Sequence, residues 1–225
     1  MQSAQSAEFH VNPVRIYIDG KAKSASLVVN NSSDQAVTIQ ATINSWTQDK
    51  GDDRIVPTDD LVISPPIFKI QPKSKQVVRI GFLKKADAVM EGTYRLYLQE
   101  VPEPGKSDEQ GMGITLRVSL PVFIAPTSGK PRADLKWKAE PADGSIKLSF
   151  ANTGNAHVQV SAISINLPDG SPLASIPAMM IYILPGQAHT WDIKTEKPWK
   201  NEALRVMIKS DMAAPGVETE VKPES

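Results

Sequence analysis

Two arginines stand between apolar residues in segments of alternating polarity, Arg15 within 14–20 and Arg95 within 94–98. A guanidinium presents fixed, paired N–H donors that match the two oxygens of a carboxylate. Each arginine is therefore a candidate anion clamp. The alternative is a solvated residue on the outer face of a strand, and the alternation alone leaves both interpretations open.

Other chemistry finds little support in the sequence. With no cysteine, thiol catalysis, disulfides and cysteine-based zinc sites are excluded. The three histidines, His10, His157 and His189, are scattered without metal-ligand spacing, and the chain carries no P-loop, dinucleotide or nucleophile motif. The acidic pairs Asp52-Asp53 and Asp59-Asp60 fall in turn-like segments and are predicted to be solvated. We therefore expect no enzyme activity, no cofactor and no metal.

The composition sets the broad class of the protein. The 225 residues are 40% hydrophobic and 22% charged, enough for two ordinary domains with buried cores. Lys+Arg and Asp+Glu both number 25, and this balance argues against a nucleic-acid partner, which requires a basic excess. Residues 1–7 are polar and lack the apolar core of a signal peptide, so we expect either a cytoplasmic protein or a mature chain.

Alternation with a period of two residues dominates, which predicts an all-β protein. The strands predicted in the first half are Glu8–Ile18, Lys23–Asn30, Val37–Gln48, Ile67–Ile70, Lys75–Phe82, Gly92–Glu100 and Met112–Ile124. Those predicted in the second half are Leu135–Ala139, Ile146–Asn152, His157–Leu167, Ala178–Leu184, His189–Ile193, Leu204–Ser210 and Val217–Val221. About seven short strands fit one immunoglobulin-like sandwich. The Pro- and Gly-containing stretch 125–132 resembles a linker, so two such sandwiches in series are expected, without a clear sequence repeat.

The segment Met112–Ile124 carries an unusually long apolar row. Its members alternate along the strand: Met112, Ile114, Leu116, Val118, Leu120, Val122 and Ile124. The row either packs entirely inside its own sandwich, or presents its early part at a sheet edge to an incomplete partner. Edges of that kind invite strand addition, which is a known mode of recognition. Pro121 lacks an N–H and suits an edge or bulge near the end of this strand.

Five runs, in order, carry a family resemblance. They are VRIYIDG (14–20), SLVVNNSSDQAVTIQATINSW (26–46), LVISPPIFKIQPKSKQVVRIGF (61–82), GTYRLYLQEVP (92–102) and LRVSLPVFIAP (116–126). Together they resemble the periplasmic pilus-assembly chaperones of the chaperone–usher pathway, the PapD-like family. In the second half only LSFANTGNAHVQV (148–160) matches locally. The missing cysteine and the ending SLPVF are similar to the archaic or alternative branch of that family.

The resemblance implies two immunoglobulin-like domains, 8–126 and 132–225, in an L-shaped arrangement. It implies a periplasmic chaperone that caps pilus subunits by donor-strand complementation and delivers them to an outer-membrane usher. The donor row would comprise Met112, Ile114, Leu116, Val118 and Leu120. Whether copies of the chain also associate with one another in a resting state, before a subunit is bound, stays open.

The resemblance also implies an anchor for the carboxyl terminus of the subunit. Arg15 matches the N-terminal arginine that serves this role in the family. The family places a lysine late in the donor strand as second anchor, where this sequence has Pro121, and no lysine lies between Lys106 and Lys130. Arg95 or Arg117 is the expected replacement. The Pro-Pro turn of the family corresponds to Ser64-Pro65-Pro66, where a cis bond is expected at one of the two positions.

A structural or adhesive two-domain β-sandwich surface protein is the alternative. A pilus subunit is disfavoured because 2–7 is polar and cannot form a donor arm of alternating apolar residues.

Overall fold

The computed structural model describes residues 9–102, 115–142, 144–195, 197, 199–200, 202–211 and 217–221, and within them all regular structure is β-strand. None of the described residues forms a helix long and apolar enough to cross a membrane. The strands divide between two compact units, one of residues 1–47, 55–88 and 92–128, the other of 48–54, 89–91 and 129–225. The all-β prediction is confirmed, and each unit is an immunoglobulin-like sandwich of two sheets.

The described residues between Phe9 and Ile124 form ten strands. They are β1 (Phe9–Asn12), β2 (Ile16–Ile18), β3 (Ser24–Asn31), β4 (Val37–Asp49), β5 (Asp52–Pro57), β6 (Leu61–Ser64), β7 (Ile67–Ile70), β8 (Lys75–Phe82), β9 (Gly92–Glu100) and β10 (Arg117–Ile124). One sheet has the order β1-β3-β8-β6, the other β2-β10-β9-β4-β5 with β7 also paired to β4. Alternate residues of the facing strands form one core, which includes Leu27, Val78, Ile39 and Leu96. The alternation in the sequence therefore positions the core, as expected for half-buried strands.

The first predicted strand, Glu8–Ile18, is wrong as a single element. It divides at Asn12-Pro13 into β1, which pairs with β3, and β2, which runs parallel to β10 in the other sheet. Pro13 interrupts the ladder because it has no backbone N–H to donate. The peptide bonds Asn12–Pro13 and Ser64–Pro65 are both cis, which places the expected cis bond of the Pro-Pro turn at Ser64–Pro65.

Three strands escaped the sequence analysis. The acidic start of β5 looks like a turn, and β5 lies at the end of its sheet, where charge is tolerated. The four-residue β6 is too short for its alternation to be recognised against the following Pro-Pro. In the second unit, the five-residue β14 (Pro172–Ile176) begins one residue after the turn Asp169-Gly170 and is likewise too short for its alternation to be recognised.

The second unit contains β11 (Leu135–Ala142), β12 (Ser145–Asn152), β13 (Val158–Asn166), β14 (Pro172–Ile176), β15 (Ile181–Ile183), β16 (Ala188–Lys194), β17 (Leu204–Ser210) and β18 (Val217–Val221). Its sheets have the orders β11-β12-β16 and β14-β13-β17-β18, with β15 also paired to β13. The predicted strand Ala178–Leu184 is thus shorter than expected. Phe150 lies fully buried in this core, between the rings of Trp137 and Trp191.

The two units share a buried asparagine at the end of equivalent strands. Asn31 ends β3, and its Nδ2 donates to the carbonyl oxygens of Gln35 (2.7 Å) and Ile70 (3.2 Å). Asn152 ends β12, and its Nδ2 donates to Ala156 (2.8 Å) and Ile183 (3.1 Å). Each amide therefore fixes the following loop against a neighbouring strand. The two units therefore repeat this hydrogen-bonding arrangement, although their amino-acid sequences show no clear repeat.

The substitution Asn152→Ala should lower the free energy of unfolding of the second unit by roughly 2–4 kcal/mol. It leaves buried carbonyl groups, and the amides of Asp134 and Gly154 that donate to Asn152 Oδ1, without their partner. Urea unfolding followed by tryptophan fluorescence measures the change. Asn166→Ala, at the end of β13 in the other sheet of the same unit, is the control and should lie within about 0.5 kcal/mol of wild type. Equal stability of the two variants would contradict this role for Asn152.

His189 on β16 stacks on Trp191 with ring centroids 4.4 Å apart. Burial lowers the pKa of His189, and the opposing effect of the Gly51 backbone and of Asp52 and Asp53 only partly offsets it. The folded unit therefore favours the neutral imidazole. Its contribution to stability is present above the unfolded-state pKa, about 6.5, and is lost as pH falls toward the lower folded-state pKa.

The free energy of unfolding should accordingly decrease as pH falls from about 7 to 5, and His189→Gln should flatten that dependence. Denaturant unfolding at a series of pH values measures it. His10→Gln is the control because His10 lies exposed on β1. A His189→Gln profile that parallels wild type would rule out His189 as the source of the slope.

Candidate functional site

Strand β10 has one edge that is only partly covered. On one side it pairs with β9 along its whole length, from Arg117 opposite Gln99 to Ile124 opposite Gly92. On the other side β2 pairs with it only over Val122–Ile124. Among the described residues, no strand covers the second side over Arg117–Pro121. We call this segment the free edge.

The direction of the backbone groups at the free edge follows from the ladder. The Glu100 amide donates to the Leu116 carbonyl (2.9 Å), so even-numbered residues of β10 direct their backbone groups toward β9. Odd-numbered residues therefore direct their backbone groups away from β9. The hydrogen bond from the Ala125 amide to the Ile18 carbonyl of β2 supports this assignment. Arg117 and Ser119 each present an N–H and a C=O to the free edge, whereas Pro121 has no N–H to present, and its C=O lies at the point where the ladder with β2 begins.

The apolar row divides into an exposed part and a buried part. Leu116 is 36% exposed, Val118 is half-buried at the margin of the core, and Leu120 is 3% exposed within it. The predicted donor residue Leu120 is therefore corrected to a core residue of its own domain. Met112 and Ile114 lie outside the described residues.

The opposite face of the same sheet brings together two of the predicted arginines. Arg95 lies directly across from Pro121 in the β9–β10 register. Since Ile16 lies across from Val122, Arg15 falls beside Pro121 on the other flank. Arg15, Pro121 and Arg95 thus form one row across three neighbouring chain segments, with roughly 5 Å between adjacent segments. A charged group at Pro121 would stand between the two guanidiniums.

Aromatic rings hold both guanidiniums in place. The Arg95 guanidinium stacks on Trp46, 3.7 Å from the ring centroid, and the Arg15 Nη1 donates to the Tyr17 hydroxyl at 3.0 Å. The buried Phe123 links the two sides, because its ring lies 5.6 Å from Tyr17 and 5.9 Å from Trp46. Such contacts orient a guanidinium and reduce the entropy it loses on binding an anion.

Arg117, the third predicted anchor, lies elsewhere on this face. It stacks over Tyr97 with its guanidinium carbon 4.2 Å from the ring centroid. Arg117 pairs with Gln99, four residues along β10 from Pro121, or about 13 Å of strand. The structure therefore groups Arg15 with Arg95 and places Arg117 beside the start of the free edge.

The acidic pairs have structural roles. Asp60 forms an ion pair with Lys84 and accepts a hydrogen bond from the Tyr94 hydroxyl at 3.3 Å. Hydrogen bonding to Lys84 lowers the pKa of Asp60, while burial, followed by the Asp60 charge, raises the pKa of Tyr94 to about 12. Asp53 accepts a hydrogen bond from the Gln48 side chain at 3.1 Å. Neither arrangement offers an acid–base pair near a substrate-sized cleft.

His157 lies in a setting that the sequence did not indicate. It is buried just before β13, with Nδ1 2.7 Å from Glu91 and Nε2 3.8 Å from Asp211, both carboxylate oxygens. The described residues contain no group of three or more His, Cys, Asp or Glu side chains able to hold a metal ion. The surroundings of His157 are those of a buried histidine whose backbone N–H and ring Nδ1 both lie within hydrogen-bond distance of Glu91.

Sequence reasoning missed the aromatic supports Trp46, Tyr97 and Phe123. The positions of two of them in the sequence could have indicated this role. Phe123 lies on the polar face of an alternating strand, and Tyr97 lies two residues after Arg95, on the same face of its strand. Trp46 is harder to find. The buried positions of β4 change from odd-numbered to even-numbered residues after Ile43, so the buried Trp46 lies on the same face as Asn44, which is across from Arg95.

Comparison with known proteins assigns the family. Residues 8–130 match the model of the pili and flagellar-assembly chaperones, PapD N-terminal domain. The chaperone protein LpfB of Salmonella typhimurium is 28% identical over 153 residues, which is 67% of this chain and 60% of that protein. The probable fimbrial chaperone LpfB of Escherichia coli O157:H7 is 27% identical, over 68% of this chain and 62% of its own length. This chain thus spans about 60% of the length of these relatives.

Solved structures agree on the fold. The complex of CsuC with the tip adhesion subunit CsuE, from the archaic chaperone–usher Csu pili of Acinetobacter baumannii, has a TM-score of 0.74 at 17% identity. That match covers 97% of this chain and 100% of the other. At this identity the likeness shows the fold, and membership of the archaic branch stays a prediction. Because the family model covers more than half of its residues, the chain belongs to the PapD-like family of pili and flagellar-assembly chaperones.

Proposed function

We propose that this protein is a chaperone that caps pilus subunits by donor-strand complementation. The observation that carries the proposal is the free edge of β10, where the backbone groups of Arg117 and Ser119 pair with no described strand and lie beside an exposed apolar side chain, Leu116. A subunit lacking one strand exposes a hydrophobic groove and unpaired backbone groups of its own. Pairing the two edges shields both surfaces from aggregation.

The apolar row supplies the binding energy. Leu116 is exposed and Val118 lies at the margin of the core, and we expect Met112 and Ile114 to continue the row. Each apolar side chain contributes roughly 1.5–3 kcal/mol when fully buried in a partner groove. Main-chain hydrogen bonds along the free edge set the direction and register of the added strand. No nucleotide or other cofactor is required by such a mechanism.

The row Arg15–Pro121–Arg95 supports an anchor for the subunit's terminal carboxylate. Two stacked guanidiniums flank a residue that adds no charge, so a carboxylate above Pro121 receives donors from both sides. Arg95 thus takes the place of the lysine that the family carries at the position of Pro121. Arg117 lies too far along β10 to share the same carboxylate.

The place of action follows from the family. We propose that the chain works in the periplasm and delivers its subunit to an outer-membrane usher. Support comes from the chaperone–subunit complex among its structural neighbours, which belongs to a chaperone–usher system. The relatives it matches are named as chaperones rather than enzymes, in agreement with a role that needs no catalysis.

Two aspartate substitutions in the apolar row distinguish side chains that are free to contact a partner from those that pack in the domain's own core. Leu116→Asp should leave the free energy of unfolding within about 0.5 kcal/mol of wild type, because Leu116 is already partly solvated. Leu120→Asp should cost more than about 3 kcal/mol, because it buries an unpaired carboxyl group. Urea unfolding measures both. Comparable losses for the two variants would place Leu116 in the domain's own core.

Capture of subunits tests the proposed function directly. Tagged wild-type chain, expressed in the periplasm of its host, should retain pilin-like proteins in a one-to-one ratio, as identified by mass spectrometry. Arg15→Ala and Arg95→Ala should each reduce the retained amount by about tenfold or more, because each removes a charge-assisted hydrogen bond. Arg79→Ala on β8, in the other sheet, is the matched control and should behave as wild type.

Two results would count against this account. Equal retention by Arg15→Ala, Arg95→Ala and wild type would place the anchor elsewhere. If folded wild-type chain retains no pilin-like protein, the chaperone function fails and a structural or adhesive surface protein becomes the better description.

A further inference from the structure

We infer that Arg117 selects the partner strand by its charge: the strand added at the free edge carries an acidic side chain opposite Arg117. The inference rests on the proposed strand addition and specifies the chemistry of the partner. It concerns a residue that the carboxylate anchor does not use.

The position of Arg117 carries the first step. It is the first residue of β10, and its backbone N–H and C=O point to the free edge. A residue of an added strand directly opposite would have its Cβ about 5 Å from that of Arg117, on the same face of the extended sheet. Pairs of opposite charge at that spacing stabilise a sheet, and pairs of like charge destabilise it.

The setting of the guanidinium carries the second step. The guanidinium carbon of Arg117 lies over the ring of Tyr97 on β9, 4.2 Å from the ring centroid. This contact holds the positive charge on the face of the sheet, beside the free edge. Within the described residues, Arg117 has no carboxylate partner. The nearby Glu100 instead accepts a hydrogen bond from the Leu116 amide through Oε2, at 3.3 Å. The positive charge is thus oriented by an aromatic ring and left for a group outside the described chain.

The remainder of the free edge adds no competing charge on this face. Ser119 and Pro121 follow Arg117 at alternate positions, and neither is ionised. Arg15 stands beyond Pro121 at the other end, where the row with Arg95 begins. An added strand therefore meets one positive charge at the start of the free edge and a separate pair at its end.

Defined peptides test the inference without knowledge of the natural subunit. Three capped nine-residue peptides have valine at odd positions and glutamate, glutamine or lysine at all even positions, so that every register with valine on the apolar face presents the test residue to Arg117. Titration into the full-length, isotope-labelled chain is followed by the amide signals of Arg117, Ser119 and Phe123 in NMR spectra. Wild type should bind the glutamate peptide about threefold more tightly than the lysine peptide at low salt. High salt should narrow that ratio.

Charge reversal gives the decisive comparison. Arg117→Glu should invert the preference, and Arg117→Lys should retain part of it. Arg79→Glu on β8 changes the net charge equally in the other sheet and should keep the wild-type preference. Circular dichroism and thermal unfolding confirm that each variant is folded before it is compared.

Three outcomes would overturn the inference. If wild type binds all three peptides equally at the free edge, strand addition stands and the charge selection fails. If Arg79→Glu inverts the preference as fully as Arg117→Glu, the effect belongs to net charge. If no peptide shifts the signals of the free edge at millimolar concentration, strand addition itself fails, and charge selection fails with it.

Discussion

The short parallel pairing between β2 and β10 is the constraint on which the proposed site depends. Three residues of β2 cover β10 at Val122–Ile124, and no other strand in the described part of the chain covers that side over Arg117–Pro121. Natural sheets usually protect such an edge with charge, proline or a covering element. Here Pro121 removes one donor at the end of the edge, and Arg117 places one charge at its start. The remaining backbone groups stay available for a partner.

In the proposed function, the same strand separates two kinds of recognition. Its even-numbered side chains pass from the exposed Leu116 to the buried Leu120, so the proposed apolar contact with a partner would continue directly from the core of its own unit. Its odd-numbered side chains lie on a face where Tyr17, Trp46 and Tyr97 support the three arginines. Apolar burial provides binding energy, whereas oriented charge provides register and selectivity. One strand can present both because successive side chains point to opposite faces.

The sequence predicted the fold class because a strand with one buried face must alternate apolar and polar residues, and this alternation can be recognised within each short segment. It failed at β5, β6 and β14, which are short or charged, and at Pro13, where one apparent strand becomes two in different sheets. For the site, the family pattern indicated Arg15 and left Arg95 and Arg117 as equal alternatives. Only the strand register separates them, because it puts Arg95 opposite Pro121. The limit of the donor row, between Val118 and Leu120, likewise depends on which side chains the other sheet covers.

Amide hydrogen exchange at the free edge tests the central claim most directly. In the isolated chain, the amides of Arg117 and Ser119 should exchange rapidly, whereas those of Val118 and Leu120, bonded to β9, should be protected. In the purified complex with a captured pilus subunit, all four amides should be protected, because the partner strand accepts the remaining N–H groups. Rapid exchange of Arg117 and Ser119 in that complex would contradict donation of β10 to the subunit.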